Sequence, residues 1–316
     1  MSSLLLALDF GGTKHAAATA TIGSTQWLAY RRAVSPPDAN QKTDLQIMRS
    51  LIHDVLGDKR PNAMGVSFGG PVDFTTGTVR LSHHVPGWEN IPLQAWLEDE
   101  IEVPVSVDND ANIAALGESR FGAGQPYDSV LYITVSTGVG GGWVLNKQPW
   151  RGSRGMAGEI GHTVVDPSGP LCLCGKRGCV ERLASGPYLA HDAIAHLQDH
   201  PNQGTILREL VNHQLPTITA QHISEAANRG DEYAQMLIKR AGWAIGVGIG
   251  NAANLIAPQG VVLGGGVTKA GEHFWHTIRE TAYKTALPEI AFDIVPAALG
   301  DDAPLWGAIA LAENLV

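Results

Sequence analysis

Apolar positions along the chain fall into short solid runs that end at glycine or aspartate, separated by stretches with helical spacing. Residues 4–8 form the first run and stop at Asp9-Phe10-Gly11-Gly12-Thr13; residues 16–22 follow as a second run of small and β-branched residues. That pair predicts a strand, a glycine turn and a returning strand. Between 43 and 56 the apolar residues Leu45, Met48, Leu51, Ile52 and Val55 share one helical face. Residues 63–67 predict a buried strand ending at Gly69-Gly70-Pro71, and residues 103–107 another ending at Asp108-Asn109-Asp110, with a helix over 112–121. Residues 130–135 then run into Thr137-Gly138-Val139-Gly140-Gly141-Gly142 and return at 143–145. The strand–turn–strand unit thus occurs twice, a duplication of architecture rather than of sequence. A long helix is expected over 232–256, a strand over 261–263 ending at Gly264-Gly265-Gly266, and a last helix from about 303 to 315. Strands alternating with helices predict an α/β fold whose ligands sit at the strand ends. Residues 122–126 are the candidate hinge between lobes.

Composition narrows the function. The chain has 316 residues, 44% hydrophobic and 17% charged, with a formal net charge of −9. No basic patch is present, which excludes a sequence-independent grip on nucleic-acid phosphates. Backbone N–H groups and Mg²⁺ can still hold phosphate locally. The first nine residues lack a basic n-region. The most apolar long stretch, 241–257, is glycine-rich, carries Asn251 and Asn254, and is too short and polar for a membrane span. The three cysteines, Cys172, Cys174 and Cys179, lie within eight residues. An odd, clustered set fits a metal site in a reducing compartment better than disulfides. The expectation is a soluble cytoplasmic protein with no membrane or nucleic-acid partner.

Two glycine turns, 9–14 and 136–142, can aim N–H groups at phosphate oxygens, and each can equally be a plain tight hairpin. Asp9 stands where a carboxylate can face Mg²⁺ through water. No Walker A loop occurs, since no glycine-lysine pair precedes Ser or Thr. Asp9-Phe10-Gly11 spells a protein-kinase metal motif, yet no His-Arg-Asp catalytic loop accompanies it. The turn 107–112 offers carboxylates and amides that could deprotonate and fix a hydroxyl, or Asp108 or Asp110 could simply cap the next helix. His162 with Cys172, Cys174 and Cys179 makes a complete tetrahedral set for Zn²⁺; four protein ligands leave no open position, so such a metal is structural. Free thiols are the alternative. Glu159 and Glu181 flank the set, and a zinc-bound His162 could use its second nitrogen for a hydrogen bond to a bound hydroxyl.

Together these segments resemble the ROK (repressor, open reading frame, kinase) family: Asp9 to Lys14, Gly69-Gly70-Pro71-Val72-Asp73, Asp108-Asn109-Asp110-Ala111-Asn112, Thr137 to Gly142, Gly158-Glu159-Ile160-Gly161-His162 with its Cys-X-Cys-Gly-X-X-Gly-Cys-X-Glu tail, and Gly264-Gly265-Gly266-Val267. They keep the family's order over nearly the whole chain. The resemblance implies a two-lobed actin/hexokinase-like (ribonuclease H-like) ATPase fold with a structural zinc loop. A small N-terminal lobe, 1–112, would be joined by the last helix, 303–316; residues 113–302 would form the large lobe. It implies an ATP-dependent kinase for a hexose, glucose foremost, with N-acetylmannosamine, N-acetylglucosamine or fructose as alternatives and polyphosphate as another donor. Asp110 is then the base for the 6-hydroxyl. Gly70, Asn109, Glu159, His162 and Glu181 bind the sugar, and His162, Cys172, Cys174 and Cys179 hold zinc. Asp9, Gly11, Gly12, Thr13, Lys14, Thr137 and Gly138 serve Mg²⁺ and phosphates; Gly264, Gly265 and Gly266 lie near the adenosine. A homodimer or homotetramer is implied as well.

The segment Ser82-His83-His84-Val85-Pro86-Gly87-Trp88 departs from the Asn-Leu-Gly-Trp-like run of family glucokinases, which leaves the preferred hexose open. His83 and His84 read as loop or packing residues rather than catalytic ones. The family's sugar-sensing regulators add a DNA-binding helix-turn-helix, for which the position of Asp9 and the acidic charge give no support.

Overall fold

In the computed structural model the described residues are 3–82 and 85–316; His83 and His84 lie outside them. The chain runs β1 (Leu4–Phe10), β2 (Lys14–Thr21), β3 (Ala29–Val34), α1 (Gln41–Leu56), β4 (Ala63–Phe68), β5 (Val72–Asp73), β6 (Thr78–Val79), α2 (Leu93–Ile101), β7 (Val105–Asn109) and α3 (Asp110–Phe121). It continues through β8 (Ser129–Val135), β9 (Val139–Leu145), β10 (Gln148–Trp150), α4 (Val180–Ala184), α5 (Gly186–Asp199), α6 (Thr205–Leu210), α7 (Ala220–Asn228), α8 (Glu232–Ile256), β11 (Gly260–Gly264), α9 (Glu272–Thr285), β12 (Asp293–Pro296) and α10 (Ala303–Glu313). Two compact units result: 1–132 with 142–158 and 297–316, and 133–141 with 159–296.

In the first unit β1 is apolar on both faces. Leu6, Leu8 and Phe10 join one core with Met48, Leu51, Ile52 and Trp88, while Leu5 and Ala7 join another with Ile113, Leu116 and Leu305. This two-sided burial is why the run is continuous rather than alternating. The sheet order is β3-β2-β1-β4-β7; β1 is antiparallel to β2 and parallel to β4, which is parallel to β7. One face is covered by α1, which buries Met48, Leu51, Ile52 and Val55 of the five residues expected from the spacing; the fifth, Leu45, is partly buried. The other face is covered by α10, and small residues allow the approach. A Cβ on Gly65 of β4 would lie 1.9 Å from the Ala308 carbonyl oxygen, and one on Gly307 would lie 1.8 Å from that of Ile113. Backbone therefore rests on backbone, and any side chain at these positions would separate the layers.

The other five-stranded sheet has the order β10-β9-β8-β11-β12, with β10 antiparallel to β9 and β11 parallel to β12. Strands β8 and β9 carry the chain into the second unit and back. The glycine-rich helix α8 packs on α9: Cβ atoms on Gly242, Gly246 and Gly250 would lie 3.1, 2.8 and 2.8 Å from the carbonyl oxygens of Phe274, Ile278 and Ala282. These glycines, four residues apart, serve helix contact rather than a ligand. Among the described residues no helix is long and apolar enough to cross a membrane.

Candidate active site and metal centre

Strand register places three polar residues side by side where β1, β4 and β7 end: Asp9 opposite Ser67, and Ser67 opposite Asp108. Ser67 Oγ donates to Asp9 Oδ1 at 2.8 Å. Burial pushes the Asp9 carboxyl up from its ordinary 3.8 to about 7; the Ser67 bond opposes this, the nearby Asp110 charge adds to it, and His15 and Arg32 pull it back. A half-buried carboxyl held this high suits a divalent cation, which would replace the proton. The sign for folding is unfavourable. Between 3.8 and about 7 the unfolded chain ionises first, so the folded state loses up to about 1.4 kcal/mol per pH unit, and the loss is complete above about 7. In metal-free buffer the melting temperature of Asp9→Asn should therefore gain on that of wild type from pH 4 to 7 and then run parallel. A constant difference over that range would mean that Asp9 titrates normally.

The turn after β1 is a tight one: Gly11 N–H donates to Lys14 O at 3.1 Å, and a Cβ on Gly11 would lie 2.7 Å from that oxygen. Gly69 N–H donates to Phe10 O at 2.8 Å, joining the ends of β1 and β4. Lys14 Nζ stands 3.9 Å from Asp301 and its side chain is exposed. Beneath this turn lies a polar hub that the sequence reading missed. Buried Asp44 of α1 is 2.8 Å from His15 Nε2, and accepts from Ser35 Oγ at 3.1 Å and Trp88 Nε1 at 3.0 Å. Trp88, the last residue of the departing 82–88 segment, is fully buried against Phe10 and Phe68.

At the end of β7 the cap of α3 is neither Asp108 nor Asp110 but Asn109. Its Oδ1 accepts from the N–H groups of Ala111 and Asn112, while its Nδ2 donates to Gly70 O at 3.0 Å and Asp110 Oδ1 at 2.9 Å. Asp108 is buried and engaged by Arg151 Nε, by Asn112 Nδ2 at 3.3 Å and by the Asn109 N–H at 2.7 Å. Asp110, at the first position of α3, is partly exposed. The two aspartates are thus separated by environment: one neutralised inside, one at the surface of the turn.

In the second unit His162, Cys172, Cys174 and Cys179 bring their ligand atoms within 4.8 Å of one another. Cys174 Sγ and Cys179 Sγ are 3.6 Å apart, close to the ~3.8 Å edge of a tetrahedron with Zn–S bonds of about 2.3 Å. His162 Nδ1 is buried without a hydrogen-bond partner. Three thiols and an orphaned imidazole nitrogen fit a zinc ion. The loop has little regular secondary structure: His162 ends a single 3₁₀ turn, Ile160–His162, and Cys179 is the residue from which α4 starts; backbone bonds such as Cys172 N–H to Lys176 O at 2.8 Å and Val180 N–H to Thr163 O at 3.1 Å tie it together. Two residues on, Glu181 Oε2 accepts from Val139 N–H at 3.0 Å and sits against Gly138, where a Cβ would be 2.8 Å from it. The cluster, Glu181 and the Thr137–Gly138 turn are therefore one connected structure. Glu159, just before the 3₁₀ turn, is exposed.

The same unit holds a cleft of about 1010 Å³, lined among others by Thr137, Gly186, Thr219, Asn228, Gly266 and Lys269. Of the glycines expected near adenosine only Gly266 lines it. Gly264 ends β11, and Gly265, at φ 92°, would put a Cβ 2.3 Å from the Val135 carbonyl oxygen. The walls from α5 and α7 were not read from the sequence. The signal lay in the start of α7, where Thr219 accepts from His222 N–H and the His222 ring accepts from the Thr219 N–H. Histidine in the place of the usual Glu or Gln hid that capping box.

Residues 5–315 match the ROK family. A glucokinase of Halalkalibacterium halodurans is 38% identical over 253 residues, 78% of this chain and 76% of that protein. The crystal structure of a ROK family glucokinase from Streptomyces griseus in complex with glucose and AMPPNP aligns with a TM-score of 0.82 at 33% identity, covering 99% of this chain and 100% of that one. A xylose repressor of Caldicellulosiruptor bescii is 30% identical over 250 residues, 78% of this chain and 61% of the repressor.

Proposed function

The chain belongs to the ROK family, and from that premise we propose that it is an ATP-dependent kinase that transfers the γ-phosphoryl group to the 6-hydroxyl of glucose. Its α/β fold is that of the ROK sugar kinases, of the actin/hexokinase kind. The observation that carries the reading is the likeness, along 99% of the chain, to a glucokinase whose structure holds glucose and AMPPNP.

Asp110 is the base in this reading. It accepts the 6-hydroxyl proton and orients the oxygen for in-line attack. Asp108 is unsuited, because Arg151 already neutralises it. Asn109, whose amide bonds the Asp110 carboxylate and caps α3, holds the base in place beside any contact it makes to sugar. Gly70, Glu159, His162 and Glu181 supply further sugar contacts. The Gly11–Lys14 and Thr137–Gly138 turns serve the phosphates, and Gly264–Gly266 belong to the adenosine part. Mg²⁺, when bound near Asp9, neutralises triphosphate charge; zinc on His162, Cys172, Cys174 and Cys179 is structural. We place the protein in the cytoplasm, where its cysteines, none of them in a disulfide, stay reduced, as a homodimer or homotetramer.

A panel of glucose, fructose, N-acetylmannosamine and N-acetylglucosamine, with ATP or polyphosphate as donor, tests the assignment through ADP release and sugar phosphate formation. Glucose with ATP should give the highest kcat/KM by at least tenfold; a 2-acetamido sugar in first place would move the assignment to that kinase. The identity to a xylose repressor favours one other reading, a sugar-sensing transcriptional regulator. Specific DNA retardation without phosphoryl transfer would put it in place of the kinase.

A further inference from the structure

We propose that Arg151 is a positioning residue for phosphoryl transfer: by pairing with buried Asp108 it keeps the adjacent Asp110 carboxylate ionised and aimed. This rests on Asp110 being the base. Arg151 lies 43 residues from Asp108 in sequence, yet its Nε donates straight to Asp108 Oδ2. The pair is sheltered, with side chains 19% and 2% exposed. The guanidinium is held on two further sides. It lies 5.0 Å from the centre of the Phe74 ring, and its Nη1 reaches Pro149 O at 3.5 Å. The loop that begins at Arg151 folds back on itself, with Ala157 N–H donating to Arg151 O at 3.1 Å. It also closes on the 70–74 segment, where a Cβ on Gly155 would lie 3.0 Å from Val72 O. That segment supplies Gly70 O to the Asn109 amide. Three stretches, 70–74, 108–110 and 151–157, are thus tied at one place.

The charge balance gives Arg151 its task. Asp9, Asp108 and Asp110 gather at the ends of β1 and β7, and the Asp110 charge is already felt at Asp9. His15 and Arg32 act on the Asp9 side. Asp108 has Arg151 as its cationic partner. Removal of the guanidinium would leave a buried carboxylate two residues from the base, with its negative charge uncompensated. The proton would then stay on Asp110 to higher pH. Removal of Asp108 alone would leave the opposite imbalance.

The test is the pH dependence of kcat/KM for glucose with ATP and Mg²⁺ in wild type, Arg151→Met, Asp108→Asn and the double variant. Arg151→Met should lower kcat at pH 7 about tenfold or more and move the acid limb up by about one pH unit. Asp108→Asn should move the limb down. The double variant should return it to the wild-type position, because both charges are gone. A merely structural pair predicts lower yield or melting temperature with the limb unmoved in every variant, and that result overturns the proposal. So does a double variant whose limb stays displaced. If Arg151→Met does not fold, the double variant, which leaves no unpaired buried charge, and Arg151→Lys, which keeps the charge, carry the same comparison. Wild-type protein that transfers no phosphate to any hexose removes the base assignment itself, and this proposal with it.

Discussion

Asp110→Asn should lower kcat for glucose phosphorylation by about 10²- to 10⁴-fold, while glucose binding changes little. The substitution is nearly isosteric. The Asn109 amide can still donate to the remaining side-chain oxygen of residue 110, and the cap of α3, which is made by Asn109 Oδ1, does not involve the altered atoms. Fold and pocket should therefore survive, and only proton acceptance is lost. Equilibrium binding of glucose, followed by intrinsic fluorescence or calorimetry, separates the two effects. Turnover within threefold of wild type would take the base role away from Asp110.

Cys174→Ser, or removal of zinc by a chelator, should cost bound metal and sugar affinity together. The expected rise in the glucose KM is at least about tenfold, the scale seen when ligand positioning around a metal is disturbed. The argument runs through one connected path. The cluster fixes Cys179, Cys179 starts α4, and Glu181 in the first turn of α4 holds the Val139 N–H and closes on Gly138. A bound cation would add four bonds to the backbone hydrogen bonds that hold the loop, and its loss would leave three thiols and an imidazole crowded within 4.8 Å without a ligand. Elemental analysis should give one zinc per wild-type chain and less than a tenth of that in the variant. Wild-type protein that is active and free of zinc would refute the structural-metal claim.

Much of this was readable before any coordinates, for a physical reason. The first strand and its turn stood out because β1 is buried on both faces and the turn is sterically restricted at Gly11. The four candidate metal ligands stood out because cysteine is rare and their spacing is local. Other features left weaker marks. β3 is an edge strand carrying Arg31 and Arg32, so it lacks an apolar run. The glycines of α8 look like ligand-approach glycines until α9 is seen packed against them. Residues 107–112 left capping and catalysis open; the cap expected of Asp108 or Asp110 is made by Asn109, whose amide oxygen reaches the N–H groups of Ala111 and Asn112. Arg151 and Asp44 were illegible because their partners are distant in sequence and a single charged residue has no periodicity.

The helix that lies on Gly65 and Ile113 has a consequence for synthesis of the protein. α10 is made nearly three hundred residues after β1, yet it covers the face that carries Leu5 and Ala7. That apolar face therefore stays uncovered during synthesis until α10 has emerged from the exit tunnel, and the first unit cannot close before then. Nascent chains stalled before residue 303 should be bound by chaperones and cut readily by protease, and emergence of α10 should abolish both.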